Sequence, residues 1–157
     1  MKIQLISVGK VHEPYIKAGV EDFTARIGKY FPVAWQIITP PKNAAAMDDK
    51  ELKKQEAKLI LQNLGNDDQL ILLDERGKQL SSTELAQFIQ QRANESSKRL
   101  VFLIGGAYGV DETITKRANF TWSLSKLVFP HMLVRLILAE QLYRACTILR
   151  NEKYHHQ

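Results

Sequence analysis

The sequence predicts an α/β fold in which a mostly parallel β-sheet is sandwiched between helices, within a single domain of residues 1–157. The apolar runs at residues 70–73 and 100–104 contain no polar side chain, which is typical of strands buried on both faces. Strand-like and helix-like segments also alternate along the chain, and this alternation favours parallel strands joined by crossover helices. A length of 157 residues fits one domain.

The strands are predicted from short runs that are rich in β-branched or continuous apolar residues. Gly9 ends the first strand, and the prolines Pro40 and Pro41 stop the second. In chain order, the five predicted strands cover residues 3–8, 35–39, 70–73, 100–104 and 121–124.

The helices are predicted from apolar residues at helical spacing and from signals at their ends. Pro14 stands in the first turn of the first helix, Gly65 follows the second, and residues 81–84 form a capping box that opens the third. In chain order, the predicted helices cover residues 13–30, 49–64, 81–93, a short segment after Gly106, and residues 130–151.

The last helix carries large apolar side chains on nearly all sides rather than on one stripe. Its own sheet can cover one face, and the same helix of a second copy would cover the other, so a homodimer through this helix is predicted. A helix central to the core of a monomer remains the alternative. Glu140 and Arg144 are spaced for an i,i+4 ion pair within it.

Composition limits the classes of function. The net charge of +5 and a pI of about 9.3 favour an acidic partner, of which nucleic acid is the commonest. Cys146 is the single cysteine, so no internal disulfide is possible, and a reducing cytoplasm is expected. No apolar run reaches the roughly 20 residues of a membrane span. His155 and His156 are adjacent without acidic or cysteine neighbours, so no metal site is predicted.

The candidate ligand site lies at the carboxyl ends of the strands, where open α/β sheets bind their ligands. Gly105, Gly106 and Gly109 follow the fourth strand, but their spacing is not GxGxxG and no Walker lysine follows. A glycine-lined adenosine pocket and a plain tight turn both remain possible there. At the chain end, Tyr154 and His155 are residue types that stack on unpaired bases, although a tail without function is the alternative.

Several of these segments resemble one known family over the whole chain. They read LISVGK at residues 5–10, LIGGAYG at residues 103–109, WSLSKLVFPHMLVR at residues 122–135, EQLYRA at residues 140–145, and Tyr154-His155 near the end. The chain is similar in these segments to the RlmH family, which are ribosomal RNA large subunit methyltransferases of the SPOUT superfamily.

The resemblance implies a C-terminal trefoil knot, S-adenosylmethionine as cofactor, a homodimer, and methylation of N3 of a pseudouridine in large-subunit ribosomal RNA on the assembled ribosome. It implies that the cofactor is bound by Leu73, Gly105, Leu124, Ser125, Lys126, Leu127, Val128 and Phe129. Arg144, Tyr154 and His155 are the implied catalytic residues, and RNA contact is implied for these three and for Arg135. His155 is a candidate base for the N3 proton, with a bound water as the alternative.

Three other functions stay open at this point. A SPOUT methyltransferase could act on another RNA, such as transfer RNA. A ribosome-binding protein could keep the fold without catalysis, although the intact loop at residues 124–129 argues against this. A nucleotide- or phosphate-binding α/β enzyme is disfavoured because the phosphate-binding motifs are missing.

Overall fold

A computed structural model of the chain describes residues 1–156. They form one five-stranded sheet with strand order β2-β1-β4-β3-β5, and every neighbouring pair of strands is parallel. The strands are β1 (Lys2–Val8), β2 (Val33–Ile38), β3 (Gln69–Gln79), β4 (Arg99–Ile104) and β5 (Phe120–Ser123). The helices are α1 (Pro14–Ile27), α2 (Asp49–Gln62), α3 (Ser82–Asn94), α4 (Glu112–Arg117) and α5 (His131–Leu149), with a short 3-10 turn at Ala44–Ala46.

Helices cover both faces of the sheet, which confirms the predicted α/β sandwich. Successive residues of a strand point to opposite faces, so Phe102 and Leu103 of β4 belong to different core clusters. The Phe102 face packs against residues of α1, α3 and α5, whereas the Leu103 face packs against α2 and α4. Because both faces are covered, β4 and the first part of β3 read as continuous apolar runs, whereas β1 also buries the polar side chains Gln4 and Ser7.

The ends of the helices follow the predicted signals with one exception. Ser81 accepts from the Glu84 N–H at 3.1 Å, and the Ser81 N–H donates to the Glu84 carboxylate at 2.8 Å, so the capping box is present. The exception is α2, which ends at Gln62, before Gly65. There the Asn63 amide donates to the Leu59 carbonyl at 2.7 Å and ends the helix earlier than the glycine would.

Strand β3 is longer than predicted and irregular. It pairs with β5 up to Leu73, shifts register between Leu73 and Lys78, and pairs again to Gln79. Gly77 is needed in the second part because a Cβ there would lie only 2.6 Å from the Thr121 carbonyl oxygen. The apolar pattern stops at the register shift, but the strand continues beyond it to Gln79, so the predicted end at residue 73 was wrong.

No helix within residues 1–156 is long and apolar enough to cross a membrane. Helix α5 packs against α1 and α3, and Cys146 on its inner face is a buried free thiol.

Candidate active site

The irregular middle of β3 and the loops that follow β4 and β5 meet the first turn of α5 and line a cleft of about 550 Å³. Because all five strands are parallel, these loops share one edge of the sheet, the edge at which open α/β sheets bind ligands. The lining residues are 72–76, 104–110, Leu124, Ser125, Leu127, Val128, Phe129, His131 and Val134.

The loop within β3 places three charged side chains at the rim of the cleft. Arg76 donates from Nη2 to Asp74 Oδ2 at 2.8 Å, and its backbone N–H donates to Asp74 Oδ1 at 2.9 Å. The hydrogen bond from the Arg76 side chain holds the pKa of Asp74 below its usual value. The charge of Asp74 is therefore already paired, and Glu75 is exposed beside it.

The loop after β4 turns tightly on its glycines. The Gly109 N–H donates to the Gly106 carbonyl at 3.1 Å, and Gly109 has a φ of +86°, in the region that glycine adopts most easily. A Cβ on Gly105 would lie 2.7 Å from Val110 Cγ1. The sequence left two interpretations of this segment open, a tight turn and a glycine-lined pocket. In the structure the segment forms a tight turn and also lines the cleft.

The loop after β5 is shaped by two serines. Ser123 Oγ donates to the Ser125 carbonyl at 2.8 Å, and Ser125 Oγ accepts from the Leu127 N–H at 3.0 Å. Leu127 and Val128 remain 69% and 76% exposed, so this side of the cleft is open in a single chain.

The residues predicted to bind the cofactor come together here with one exception. Leu73, Gly105, Leu124, Ser125, Leu127, Val128 and Phe129 all line the cleft. Lys126 does not, since its exposed side chain lies outside the lining residues.

The first turns of α5 carry a histidine in the cleft wall and an arginine behind it. Burial and the charge of Arg135 lower the pKa of His131 and favour a neutral imidazole. Arg135 is fully buried and donates from Nε to Ser7 Oγ at 2.9 Å, while its Nη1 lies 3.2 Å from His12 Nδ1. In a single chain, the Arg135 side chain therefore has no exposed surface for the predicted contact with RNA.

The last residues form a separate cluster on α5. Arg144 donates to Glu140 at 2.7 Å, which is the predicted i,i+4 ion pair, and Tyr154 Oη also donates to Glu140 at 2.7 Å. Burial and the bond to Glu140 raise the pKa of Tyr154 to about 12, so its phenol is neutral. The ring of Tyr154 packs edge-on against Tyr143 with centroids 4.7 Å apart.

The contact between Arg144 and His155 fixes the tautomer of the imidazole. Arg144 Nη1 lies 3.2 Å from His155 Nδ1, and because a guanidinium can only donate, Nδ1 accepts. A neutral His155 then carries its proton on Nε2, which is buried without a hydrogen-bond partner among residues 1–156. In this arrangement Nε2 is a donor in need of an acceptor.

The cleft and the tail cluster lie at different positions along the same helix. His131 lines the cleft at the start of α5, and Arg144 follows 13 residues later, which corresponds to roughly 20 Å along a helix axis. Neither Arg144, Tyr154 nor His155 lines the cleft. One chain therefore keeps the predicted cofactor residues and the predicted catalytic residues apart.

Sequence reasoning missed one residue beside the cleft. Glu56 on α2 is buried, and its carboxylate lies against Gly106. The signal was present, because Glu56 stands four residues before the buried Ile60 and beside the buried Ala57, on the apolar side of the helix. Among residues 1–156, no group of three or more side chains is arranged to hold a metal ion.

Comparisons with known proteins cover the same residues. The profile of a family described as "Predicted SPOUT methyltransferase" matches residues 1–155. A protein of Cytophaga hutchinsonii is 49% identical over 99% of this chain and all of its own length. Proteins of Flavobacterium johnsoniae and Christiangramia forsetii are 45% and 43% identical over the whole of both chains. All three are named "Ribosomal RNA large subunit methyltransferase H".

The matches run from one end of the chain to the other, so they include β1, the glycine turn, the loop after β5 and α5. Membership of this family also implies the trefoil knot that the resemblance predicted. The chain therefore belongs to the SPOUT methyltransferase family, among the ribosomal RNA large subunit methyltransferases H.

Proposed function

We propose that this protein transfers a methyl group from S-adenosylmethionine to N3 of a pseudouridine in large-subunit ribosomal RNA, on the assembled ribosome. The observation that carries the proposal is the cleft at the carboxyl edge of the sheet, where the glycine turn meets the loop at residues 124–129. The names of the relatives support ribosomal RNA as the substrate. Such a substrate would place the protein in the cytoplasm, acting as a single methyltransferase domain.

The residues of the cleft fit S-adenosylmethionine. A volume of about 550 Å³ is within the range of small-molecule sites, and the lining offers both polar groups and apolar side chains such as Leu124 and Phe129, which suit the faces of an adenine. No lysine lines this cleft, and Arg76, which does, is paired with Asp74, so the cleft resembles an adenosine site more than a phosphate site. Leu73, Gly105, Leu124, Ser125 and Phe129 would hold the cofactor, which supplies a methyl group already activated on a sulfonium.

The tail supplies the groups for the RNA base. His155 Nε2–H is an unpaired donor that would hydrogen-bond a carbonyl oxygen of the pseudouridine, with Arg144 fixing the ring orientation. Tyr154 offers a neutral phenol and an aromatic face beside it. These side chains would align N3 with the methyl group, and alignment alone supplies several kcal/mol. A histidine base at Nε2 would first require the Arg144 contact to break.

A homodimer through α5 would bring the two groups together. In a twofold-related antiparallel pair of helices, the start of one helix meets the end of the other. The tail cluster of one copy would then face the cleft of its partner, where Leu127 and Val128 are exposed. Leu133 and Ile137 lie four residues apart on α5 and are only half-buried in the single chain, which supports such a pairing.

Methyl transfer to different RNAs tests the substrate. Assembled ribosomes that lack the modification should receive labelled methyl groups from S-adenosylmethionine at one pseudouridine. Free ribosomal RNA and transfer RNA should receive none. Binding to the ribosome should weaken as salt rises, because phosphate contacts release counterions. Label on transfer RNA would overturn the substrate but keep the chemistry. Cofactor binding without label on any of these RNAs would favour a role that does not involve catalysis.

Mixed dimers test the shared site. One copy carries Gly105→Val, whose side chain would collide with Val110, and the other carries Arg144→Ala. If the site is shared, each heterodimer keeps one intact site, and an equilibrated one-to-one mixture recovers about a quarter of wild-type activity. If each chain uses its own tail, the mixture stays as inactive as either variant. Gly65→Ala is the control, because Gly65 does not line the cleft and has room for a methyl group.

A further inference from the structure

Glu56 is a buried carboxyl group without a partner. The residue is 5% exposed, on the inner side of α2. Its side chain forms no hydrogen bond or ion pair with any residue in the described range 1–156, and burial is the cause of its raised pKa. Burial of an unpaired carboxylate is costly, so such a group in a folded protein calls for an explanation.

The carboxyl group of Glu56 lies against the glycine turn that borders the cleft. A Cβ built on Gly106 would lie 2.6 Å from Glu56 Oε1 and 3.0 Å from Oε2. Gly106 itself lines the cleft. Since Gly106 has no side chain, its backbone is what separates the Glu56 carboxyl from a ligand in the cleft.

The other acidic groups of the cleft are less able to attract a cation. Asp74 is paired with Arg76, and Glu75 is exposed, where water screens its charge. Glu56 is only 5% exposed, so solvent screens its charge less than it screens that of the exposed Glu75. A positive charge in the cleft would supply the counter-charge that Glu56 lacks, and would favour its ionised form.

We propose that Glu56 makes the cleft selective for a positively charged ligand, so that the sulfonium form of the cofactor binds in preference to the neutral thioether left after methyl transfer. This inference rests on the proposed use of S-adenosylmethionine. Glu56 acts through the backbone of Gly106 and does not line the cleft, so it is a selectivity-determining residue rather than a catalytic one. Its effect favours exchange of product for fresh cofactor.

The test compares the affinities of S-adenosylmethionine and S-adenosylhomocysteine by isothermal titration calorimetry. Glu56→Gln keeps the shape of the side chain and removes the charge, so the affinity for the sulfonium should fall about tenfold while the affinity for the thioether changes little. Glu51→Gln is the matched control, because it removes the same charge from an exposed position on the same helix. It should leave both affinities unchanged.

Thermal unfolding of the ligand-free protein separates this role from simple packing. Removing an unpaired buried charge should leave the Tm of Glu56→Gln equal to or above that of the wild type at pH 8, whereas a packing role predicts a lower Tm. Glu56→Asp retains the charge and should keep the preference for the sulfonium. This variant also tests the proposal if the Gln variant does not fold.

Two results would overturn the proposal. One is an equal loss of both affinities in Glu56→Gln together with a lower Tm, which would make Glu56 a structural support of the glycine turn. The other is the absence of a charge effect, either as a ratio of affinities that Glu56→Gln leaves unchanged or as a wild type that binds both ligands without preference. If the wild-type protein binds neither ligand, the proposed function itself fails.

Discussion

Gly106→Ala measures how closely Glu56 approaches the glycine turn. The new methyl group would lie 2.6 Å from Glu56 Oε1 and 3.1 Å from Cδ, well inside van der Waals contact. Overfilling a packed interior costs about 1–3 kcal/mol, and the cost here should lie near 1 kcal/mol because the carboxyl group ends a flexible side chain that can shift. At roughly 2–4 °C of Tm per kcal/mol for a protein of this size, the melting temperature should fall by about 2–4 °C.

A double-mutant cycle identifies Glu56 as the cause. Glu56→Ala removes the atoms that the new methyl group would meet, so Gly106→Ala should cost almost nothing in that background. Urea unfolding of the four proteins should give a coupling free energy of about 1 kcal/mol. Additive effects within about 0.5 kcal/mol would refute the reasoning, because they would mean that the two residues do not touch.

Gly109→Ala is the control for backbone effects at the same turn. A Cβ there meets nothing within 4 Å, but the φ of +86° is unfavourable for alanine. The cost should be about 1 kcal/mol and should be the same with or without the carboxyl group of Glu56.

The remaining predictions concern α5 and the opposite edge of the sheet. Arg144→Ala should lower the rate of methyl transfer roughly tenfold and leave the affinity for the cofactor unchanged, because His155 loses its charged partner. An equal loss of methyl transfer and of cofactor affinity would contradict the role of Arg144 in orienting His155. Burial alone would raise the pKa of Asp68, but hydrogen bonds from Arg99 and from a backbone N–H hold it below its usual 3.8. Asp68 therefore stabilises the fold above that pH and loses the effect as pH falls further, so Asp68→Asn should flatten the decline of Tm in acid. Cys146 is buried with a pKa raised to about 12, so a thiol reagent at pH 8 should label it only after unfolding, and rapid labelling of the native protein would contradict its burial.

The order and type of the elements could be predicted because the hydrophobic pattern follows burial on both faces of the sheet. The unbroken apolar run of β4 and the capping box at Ser81 are local signals, and both were confirmed. The second half of β3 could not be predicted in this way, because its pairing depends on the approach of Gly77 to Thr121, which is distant in sequence. Register shifts of this kind leave no periodicity in the strand itself.

Most of the cleft could be anticipated, but the environment of its charged groups could not. The loop at residues 124–129 lines the cleft as expected apart from Lys126. Arg135 was expected to contact RNA, yet its guanidinium is held by Ser7 from β1, a contact across 128 positions of sequence. A sequence shows that a residue is charged, whereas its burial depends on which distant segments pack around it.

The length of α5 links the fold to the proposed reaction. With 19 residues, the helix is roughly 28 Å long, so its first turn and its C-terminal half cannot serve the same small ligand within one chain. Pairing with a second α5 in antiparallel orientation would remove this separation and also cover the half-buried apolar residues Leu133 and Ile137. Dimerisation and a complete site would then depend on the same surface. A charged substitution at Ile137 should therefore abolish methyl transfer along with the dimer, even though this residue lines no part of the cleft.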